Sequence, residues 1–458
     1  MLLNAPPSVK RFVTTLRPLL TRPQLRAVVM FITGIVLAHG KRSLASIGRA
    51  TVRDARYRGS VSRISRSARF RTRDLFAAAC RDFITMLVTT IGKHTGIVHS
   101  MRRTWVLAID DVSTVRGLNT KIANGLSKAR KNAKDHPGGK TIPRRKSHSF
   151  VQALLLAPSG VRIPLPRKTW RTREYARKLR KKYVTKVALA CEIVRDLAKW
   201  NLLPDADIVV VADNLYDSSD LARTCRRARF TLITPADSRR QFADGANIHE
   251  RGLKLSDSKA RRLILEAGSE GTASYRRRTA RCPRINKRRH GRREYRFVHE
   301  RRDVAGLGVV GVVYSRKRPV YRPEVSWERE SFKVLMCSDP EIPGELVIEL
   351  YELRWEIEVF YRELKSGLGL GQYTGTDFKA YERLVDLTLL TFLFLERNRL
   401  ERGAELKGAR LTDLKVAVER EAARSDLAFI EERLNSARGR ATLAKVLKKL
   451  KVGKAAGA

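Results

Sequence analysis

The sequence predicts an α/β fold: a mixed sheet flanked by helices, a mostly β insertion before the last core helix, and helical regions at both ends. Three observations predict it. Two short apolar runs, Trp105–Ile109 and Ile208–Ala212, each stop on aspartate, as buried strands with carboxylates at their C-terminal ends do. Helical stretches of amphipathic spacing alternate with those runs. From 351 to 365, apolar and charged residues sort onto separate faces at a period of 3.6, which predicts one continuous helix.

Residues 1–100 read as helical. Thr21-Arg-Pro-Gln-Leu has the form of a helix start, and the helix runs to about Leu37. Ser43 opens a second helix, and an apolar helical stretch begins at Asp74 after the basic segment around Ser60–Ser67. Two short helices in a basic context suit a helix-turn-helix, and ordinary small-helix packing suits them equally. Trp105–Ile109 is a buried strand ending in Asp110 and Asp111. A polar Gly- and Lys-rich loop follows to about Lys146. His148–Ala157 and Val161–Leu165 then flank Pro158-Ser-Gly as a hairpin. Tyr175–Trp200 reads as one long basic helix, Ile208–Ala212 as a strand ending at Asp213, Leu221–Arg229 as a helix and Phe230–Thr234 as a strand. The order β, β, β, α, β, α, β with carboxylates at two strand ends is an RNase H-like topology. Residues 236–330 hold basic clusters at Arg276–Arg278 and Lys287–Arg293 and alternating runs such as Glu294–Val298 and Gly308–Tyr314, with Ser331–Met336 beyond them. Helix returns near Gly344, and Tyr381–Leu400 is an apolar helix. The domains expected are 1–100 helical, 101–236 first part of the core, 237–343 basic β insertion, 344–400 last part of the core, and 401–458 helical and basic.

Charge restricts the partner. The chain has 458 residues, 94 Lys and Arg against 46 Asp and Glu, and a formal charge of +48. An excess of that size repels itself and is offset by a polyanion, and nucleic acid supplies one through phosphate contacts and counterion release. With 43% apolar residues the chain folds around a core, unlike a short basic structural protein. The five cysteines form no close pairs, which excludes a disulfide framework or a zinc ribbon and fits a reducing cytoplasm. Ala27–Ala38 and Val385–Leu395 are too short to span a bilayer and read as buried helices. No Walker loop or dinucleotide-binding glycine pattern stands between a strand and a helix.

Tyr351, Arg354, Glu358 and Lys365 fall on one helical stripe, and Leu353, Ile357, Phe360 and Leu364 on another suited to packing on a sheet. Alone, Arg354 and Glu358 are an ordinary i,i+4 ion pair. As a whole, the stripe resembles the Y-(2)-R-(3)-E-(6)-K signature of bacterial insertion-sequence DDE transposases, matched at all four positions. Arg-Trp-x-Ile-Glu-x-Phe and Lys365-Ser-Gly-Leu-Gly around it are also similar to that family. Leu107-Ala-Ile-Asp-Asp resembles its first-acid strand. Val209-Val-Val-Ala-Asp-Asn-Leu-Tyr resembles its second, with Leu215 where a small residue is usual. The resemblance covers about residues 100–400.

The resemblance implies an RNase H-like core with a β domain inserted before the last acid, and a site whose catalytic and metal-holding acids are Asp111, Asp213 and Glu358. Asp110 competes with Asp111 for the first place, and the Ser113-Thr114 turn after it favours Asp111. Two Mg²⁺ ions, or Mn²⁺, are implied as cofactors, since hard divalent ions take carboxylate oxygens. Arg354 and Lys365 would grip phosphates and Tyr351 would bind DNA by donating to a phosphate or stacking on a base. Trp327 is a loose match to a strand tryptophan that wedges into a flipped base in some relatives, where Val334 stands here. His136 and His148 receive no role. The implied reaction is cut-and-paste transposition. The chain would bind the terminal inverted repeats of its own element through residues 1–100 and the insertion, nick them, and join the 3′-hydroxyl ends to target DNA as a homodimer on paired ends, in the bacterial cytoplasm at the nucleoid. The alternatives are a structure-specific nuclease of the same fold and a transposase-derived DNA-binding protein without catalysis.

Overall fold

The computed structural model describes residues 5–40, 42–51, 71–94, 104–115, 126–129, 145–255, 259–266, 292–318, 332–372, 377–406, 409–435, 437–441 and 444. Its helices are α1 (Pro7–Thr14), α2 (Arg22–Leu37), α3 (Leu44–Thr51), α4 (Thr72–His94), α5 (Arg173–Lys178), α6 (Lys186–Trp200), α7 (Ser219–Arg227), α8 (Ile248–Leu253), α9 (Gly344–Glu352), α10 (Trp355–Gly367), α11 (Phe378–Glu401) and α12 (Leu411–Leu434). Its strands are β1 (Thr104–Val115), β2 (Leu126–Ala129), β3 (Arg145–Leu156), β4 (Arg162–Pro164), β5 (Lys168–Trp170), β6 (Asp207–Ala212), β7 (Thr231–Pro235), β8 (Arg261–Glu266), β9 (Arg292–Val304), β10 (Gly308–Arg318) and β11 (Lys333–Cys337). The chain divides into two compact units, one of residues 1–83, 114–148 and 360–458, the other of 84–113 and 149–359.

The first unit is mainly helical. Gln24 accepts the Thr21 amide at 2.9 Å, which closes the start of α2 where the sequence placed it. The Ser43 hydroxyl accepts the Ser46 amide at 3.1 Å and starts α3 in the same way. A Cβ on Gly34 would meet Ile47 Cγ2 at 2.6 Å, so only glycine lets α2 lie this close to α3. Helix α11 is apolar and buried along most of its length, with Phe394 packed 5.5 Å from Phe12 and Phe392 edge-on to Phe360 at 4.7 Å. Among the described residues no helix is long and apolar enough to cross a membrane. The loop expected up to Lys146 contains β2, which pairs antiparallel with the first residues of β3.

The second unit is built on a sheet of order β3-β1-β6-β7-β11-β10-β9-β8, with β4 and β5 also on β3. Strands β1, β6 and β7 run parallel, and β11 returns antiparallel beside β7. This mixed sheet with flanking helices is the RNase H-like α/β fold that the sequence predicts. The central strands are apolar on both faces because both are covered: Trp105–Ile109 and Ile208–Ala212 are buried throughout. The basic segment 237–343 contributes β8 to β11, which prolong the same sheet. Gly344 opens α9 at a place where a Cβ would stand 2.8 Å from Phe297, so this helix lies close on the strands.

Three local expectations change. Strand β1 does not stop at its two aspartates but runs on to Val115, and only its pairing with β6 ends at Ile109↔Ala212. The helix expected over 175–200 is two helices. Arg180 takes φ +52°, Lys181 donates back to Ala176, and the Thr185 hydroxyl caps α6 afresh by accepting the Ala188 amide at 3.1 Å. The helix expected over 351–365 is also broken, between α9 and α10. The amides of Leu353, Arg354, Glu356 and Ile357 each bond three residues back, to Leu350, Tyr351, Leu353 and Arg354, so the chain tightens for one turn between the two helices.

Candidate active site

The site lies in the second unit, where the β1–β6 ladder ends. Six parallel pairs run from Thr104↔Asp207 to Ile109↔Ala212. The next residues in register are Asp110 and Asp213, placed side by side as the ladder closes. The Asp213 carboxylate accepts the Leu215 amide at 3.0 Å and opens a short 3₁₀ turn, Asn214–Tyr216. That turn is fixed behind by Asp217, which is buried and held by Arg240. Successive side chains of a strand point to opposite faces, so Asp110 and Asp111 cannot share a role.

The partners of the two aspartates differ accordingly. Asp111 accepts Lys186 Nζ at 2.5 Å, from the first turn of α6. Asp110 has Arg354 Nη1 at 4.0 Å and accepts its neighbour's amide at 2.7 Å. Arg354 sits in the break between α9 and α10. Its Nη2 donates to Glu358 Oε1 at 2.7 Å, and its guanidinium lies 5.9 Å from the Tyr351 ring. The predicted stripe therefore survives its broken helix only from Arg354 onward. Tyr351 ends α9 and is buried, Glu358 sits in the first turn of α10, and Lys365 lies in that helix's last turn among residues of the first unit, with its side chain exposed. Ile357, Phe360 and Leu364 are buried as their stripe predicts, whereas Leu353 falls in the turn.

The acids are electrostatically crowded. Burial pushes the Asp110 carboxyl up to about 7, and the charges of Asp213 and Asp111 push the same way against its amide bond and Arg354. Burial also raises Asp213, opposed by the Leu215 amide and Arg354. Tyr216, fully buried, has no hydrogen-bond partner for its hydroxyl among the described residues. Burial, then the charges of Asp111, Asp110 and Asp213, hold it well above the usual tyrosine range. Sequence reasoning missed Lys186, which is distant in sequence from every motif. Tyr216 closes the second-acid motif, but the sequence gives it no role of its own.

Of the remaining candidates, His148 is buried between the Phe378 and Tyr381 rings, 5.1 and 4.6 Å from their centroids, in the first unit. Val334 is buried on β11 opposite Tyr314. His136, Trp327 and Cys282 lie outside the described residues. Cys80, Cys191, Cys225 and Cys337 are buried, and none of them forms a disulfide among the described residues.

An RNase H-like sheet with acids gathered at the ends of its two central parallel strands defines a class of protein before any name. Residues 173–392 match the family of the transposase DDE domain. That match, just under half of the chain, assigns residues 173–392 to a transposase DDE domain, whose family comprises DNA-cleaving and strand-transferring enzymes that bind DNA and use divalent metal ions. The matched stretch contains Asp213 and Glu358, and β1 with its two aspartates lies before it. No curated protein matches the chain.

Do these residues suit divalent ions? Among the described residues no three carboxylates converge closely enough to hold a metal ion. Their chemistry nevertheless fits one. Asp110 and Asp213 are hard oxygen donors whose like charges oppose each other, and a divalent cation between them would offset both.

Proposed function

We propose that this protein is a cut-and-paste transposase whose acids are Asp110, Asp213 and Glu358, acting on the ends of its own element. The observation that carries the reading is the register of β1 and β6, which sets Asp110 beside Asp213, with Arg354 linking Asp110 to Glu358. The sequence favours Asp111 for the first place. Its ion pair with Lys186 turns it to another partner, so Asp110 is the better candidate.

When bound at these carboxylates, two Mg²⁺ ions would activate the attacking oxygen and stabilise the leaving oxygen of the phosphodiester. The chain's own groups do the rest. Arg354 offers a planar fork that can exchange its carboxylate partners for a phosphate and hold it in line beside the acids. Tyr351 supports that fork from beneath and, with its hydroxyl, adds a donor. Lys186 neutralises Asp111 and so keeps a fourth negative charge from adding to the crowd. Lys365 supplies a further point charge for DNA. Residues 1–100 and the basic insertion bind the terminal repeats, and two copies act on paired ends.

The test is a strand-transfer assay with the full chain, Mg²⁺ and DNA carrying the ends that flank its reading frame. Joined products support the reading, whereas cleavage without joining would make the protein a nuclease. Binding to such DNA should fall by on the order of 10³ between about 50 and 200 mM salt if some six phosphates are neutralised. A flat response would contradict it.

A further inference from the structure

The face of the sheet under α9 carries two lysines that make no ion pair with the acids, although the charge of Glu358 acts on Lys333. Lys317 on β10 stands directly across from Tyr295 on β9, and Lys333 on β11 stands across from Ser315. Lys317 and Lys333 are thus diagonal neighbours on one face, with backbone positions roughly 7–8 Å apart. The ammonium of Lys317 lies 5.8 Å from the Tyr295 ring, and that of Lys333 lies 5.1 Å from the Tyr351 ring. Arg354 lies over the same Tyr351 ring. One tyrosine therefore joins Lys333 to the arginine of the acid cluster.

The two lysines differ from their neighbours in what balances them. Arg293 is paired with Glu352, and Arg354 with Glu358. Among the described residues neither Lys317 nor Lys333 has an ion-pair partner, and both side chains are exposed. Surrounding protein first, then Arg293 and Lys333, push Lys317 down to about 8. Like charges placed diagonally on a strand pair cost stability unless something supplies the counter-charge. The aromatic rings offset part of that cost, and both side chains stay exposed to solvent.

We infer that Lys317 and Lys333, backed by Tyr295 and Tyr351, form a subsite for the backbone phosphates of the DNA strand next to the scissile bond. The line of ammonium groups, rather than a ring of donors around one point, suits consecutive phosphodiesters and not a single free anion. Lysine serves this purpose as a point charge, without the fixed fork of arginine. Such contacts carry no base preference. They set where along the strand the acids act. The inference rests on the transposase reading above.

Two measurements on the full-length chain test it, both without divalent metal so that no cutting occurs. In the first, affinity for a synthetic duplex of arbitrary sequence is followed against salt. Lys317→Gln and Lys333→Gln should each flatten the slope of log affinity on log salt by about 1, one phosphate contact apiece. Lys178→Gln, at an exposed lysine paired with Glu174, should leave it unchanged. Variant slopes equal to the wild-type slope overturn the subsite while leaving the transposase reading intact. A wild-type chain that binds with no salt dependence overturns both. The second measurement needs no variant: amine acylation of wild-type protein read by peptide mass. DNA should protect Lys317 and Lys333 and not Lys178. Equal protection by inorganic phosphate at the same phosphate concentration would mean a small-anion site and refute a strand-binding one.

Discussion

Buried charge is handled in two ways in this molecule. In the first unit it is matched internally. Asp386 accepts the Thr72 hydroxyl at 2.7 Å, Glu396 pairs with Arg399, and Arg397 reaches both Asp82 and Glu401. In the second unit, Asp110 and Asp213 oppose each other, and the Tyr216 hydroxyl has no hydrogen-bond partner among the described residues. Buried polar groups are normally satisfied, so unresolved ones mark places where a ligand completes the structure. These pairs stabilise the first unit, whereas the crowded acids of the second are the groups that the proposed chemistry would use.

That contrast can be broken at several points. The largest effect belongs to Glu358→Gln. It should lower DNA cleavage by on the order of 10³-fold or more, the scale of removing one member of a catalytic constellation, while DNA binding in a gel-shift assay persists. Wild-type cutting by this variant would remove Glu358 from the site. Next come the two neighbouring aspartates. Asp110→Asn should match Glu358→Gln, whereas Asp111→Asn, which loosens Lys186, should cost roughly 10–100-fold, the range for groups that orient ligands. The reverse order in a cleavage time course would return the first place to Asp111.

Smaller effects test the first unit. Asp386→Ala leaves the Thr72 hydroxyl buried without its acceptor and should cost about 1–3 kcal/mol in denaturant unfolding, with DNA binding unchanged. Lys415 is this unit's exception. Burial first, then Arg42, push it down to about 8, against Glu419. Its folded value lies below its unfolded one, so the unfolded chain binds more protons between about 8 and 10.5 and stability from this group rises with pH across that window. The melting temperature of Lys415→Met relative to wild type should therefore show its greatest advantage at pH 7 and lose it towards pH 10. A constant difference across that range would mean the lysine is solvated. The smallest expected effect, about 1 kcal/mol, is that of Thr185→Ala, which uncaps the helix carrying Lys186.

Much of this was legible in the sequence because it depends on local pattern. The apolar runs at 105 and 208, the capping residues Thr21 and Ser43, and the hairpin around Pro158-Ser-Gly are local signals, and each element stands where it was expected. What was not legible depends on contacts between distant segments. No periodicity distinguishes an unbroken helix over 351–365 from two helices joined by a tight turn at Leu353 and Arg354, since the apolar spacing continues through the break. Likewise the apolar run predicts that β1 ends in Asp110 and Asp111, whereas the strand runs on to Val115. The choice between Asp110 and Asp111 needed the β1–β6 register and the place of Lys186, which lies 75 residues away. Lys333 is one residue among others in the run Ser331–Met336, because its importance lies in which ring it stands over.

The doubled aspartate has one more consequence. Most strands are held in register by alternation, since a slip of one residue turns their apolar side outward. Strand β1 lacks that safeguard: Trp105 to Ile109 are buried on both faces, so a one-residue shift would exchange one apolar side chain for another. Shifting the strand by one position would, however, bring Asp111 to the place of Asp110. Within the native register Asp111 is tied to Lys186 instead, so the pairing of β1 with β6, and not the apolar pattern, selects which carboxylate stands at the working end.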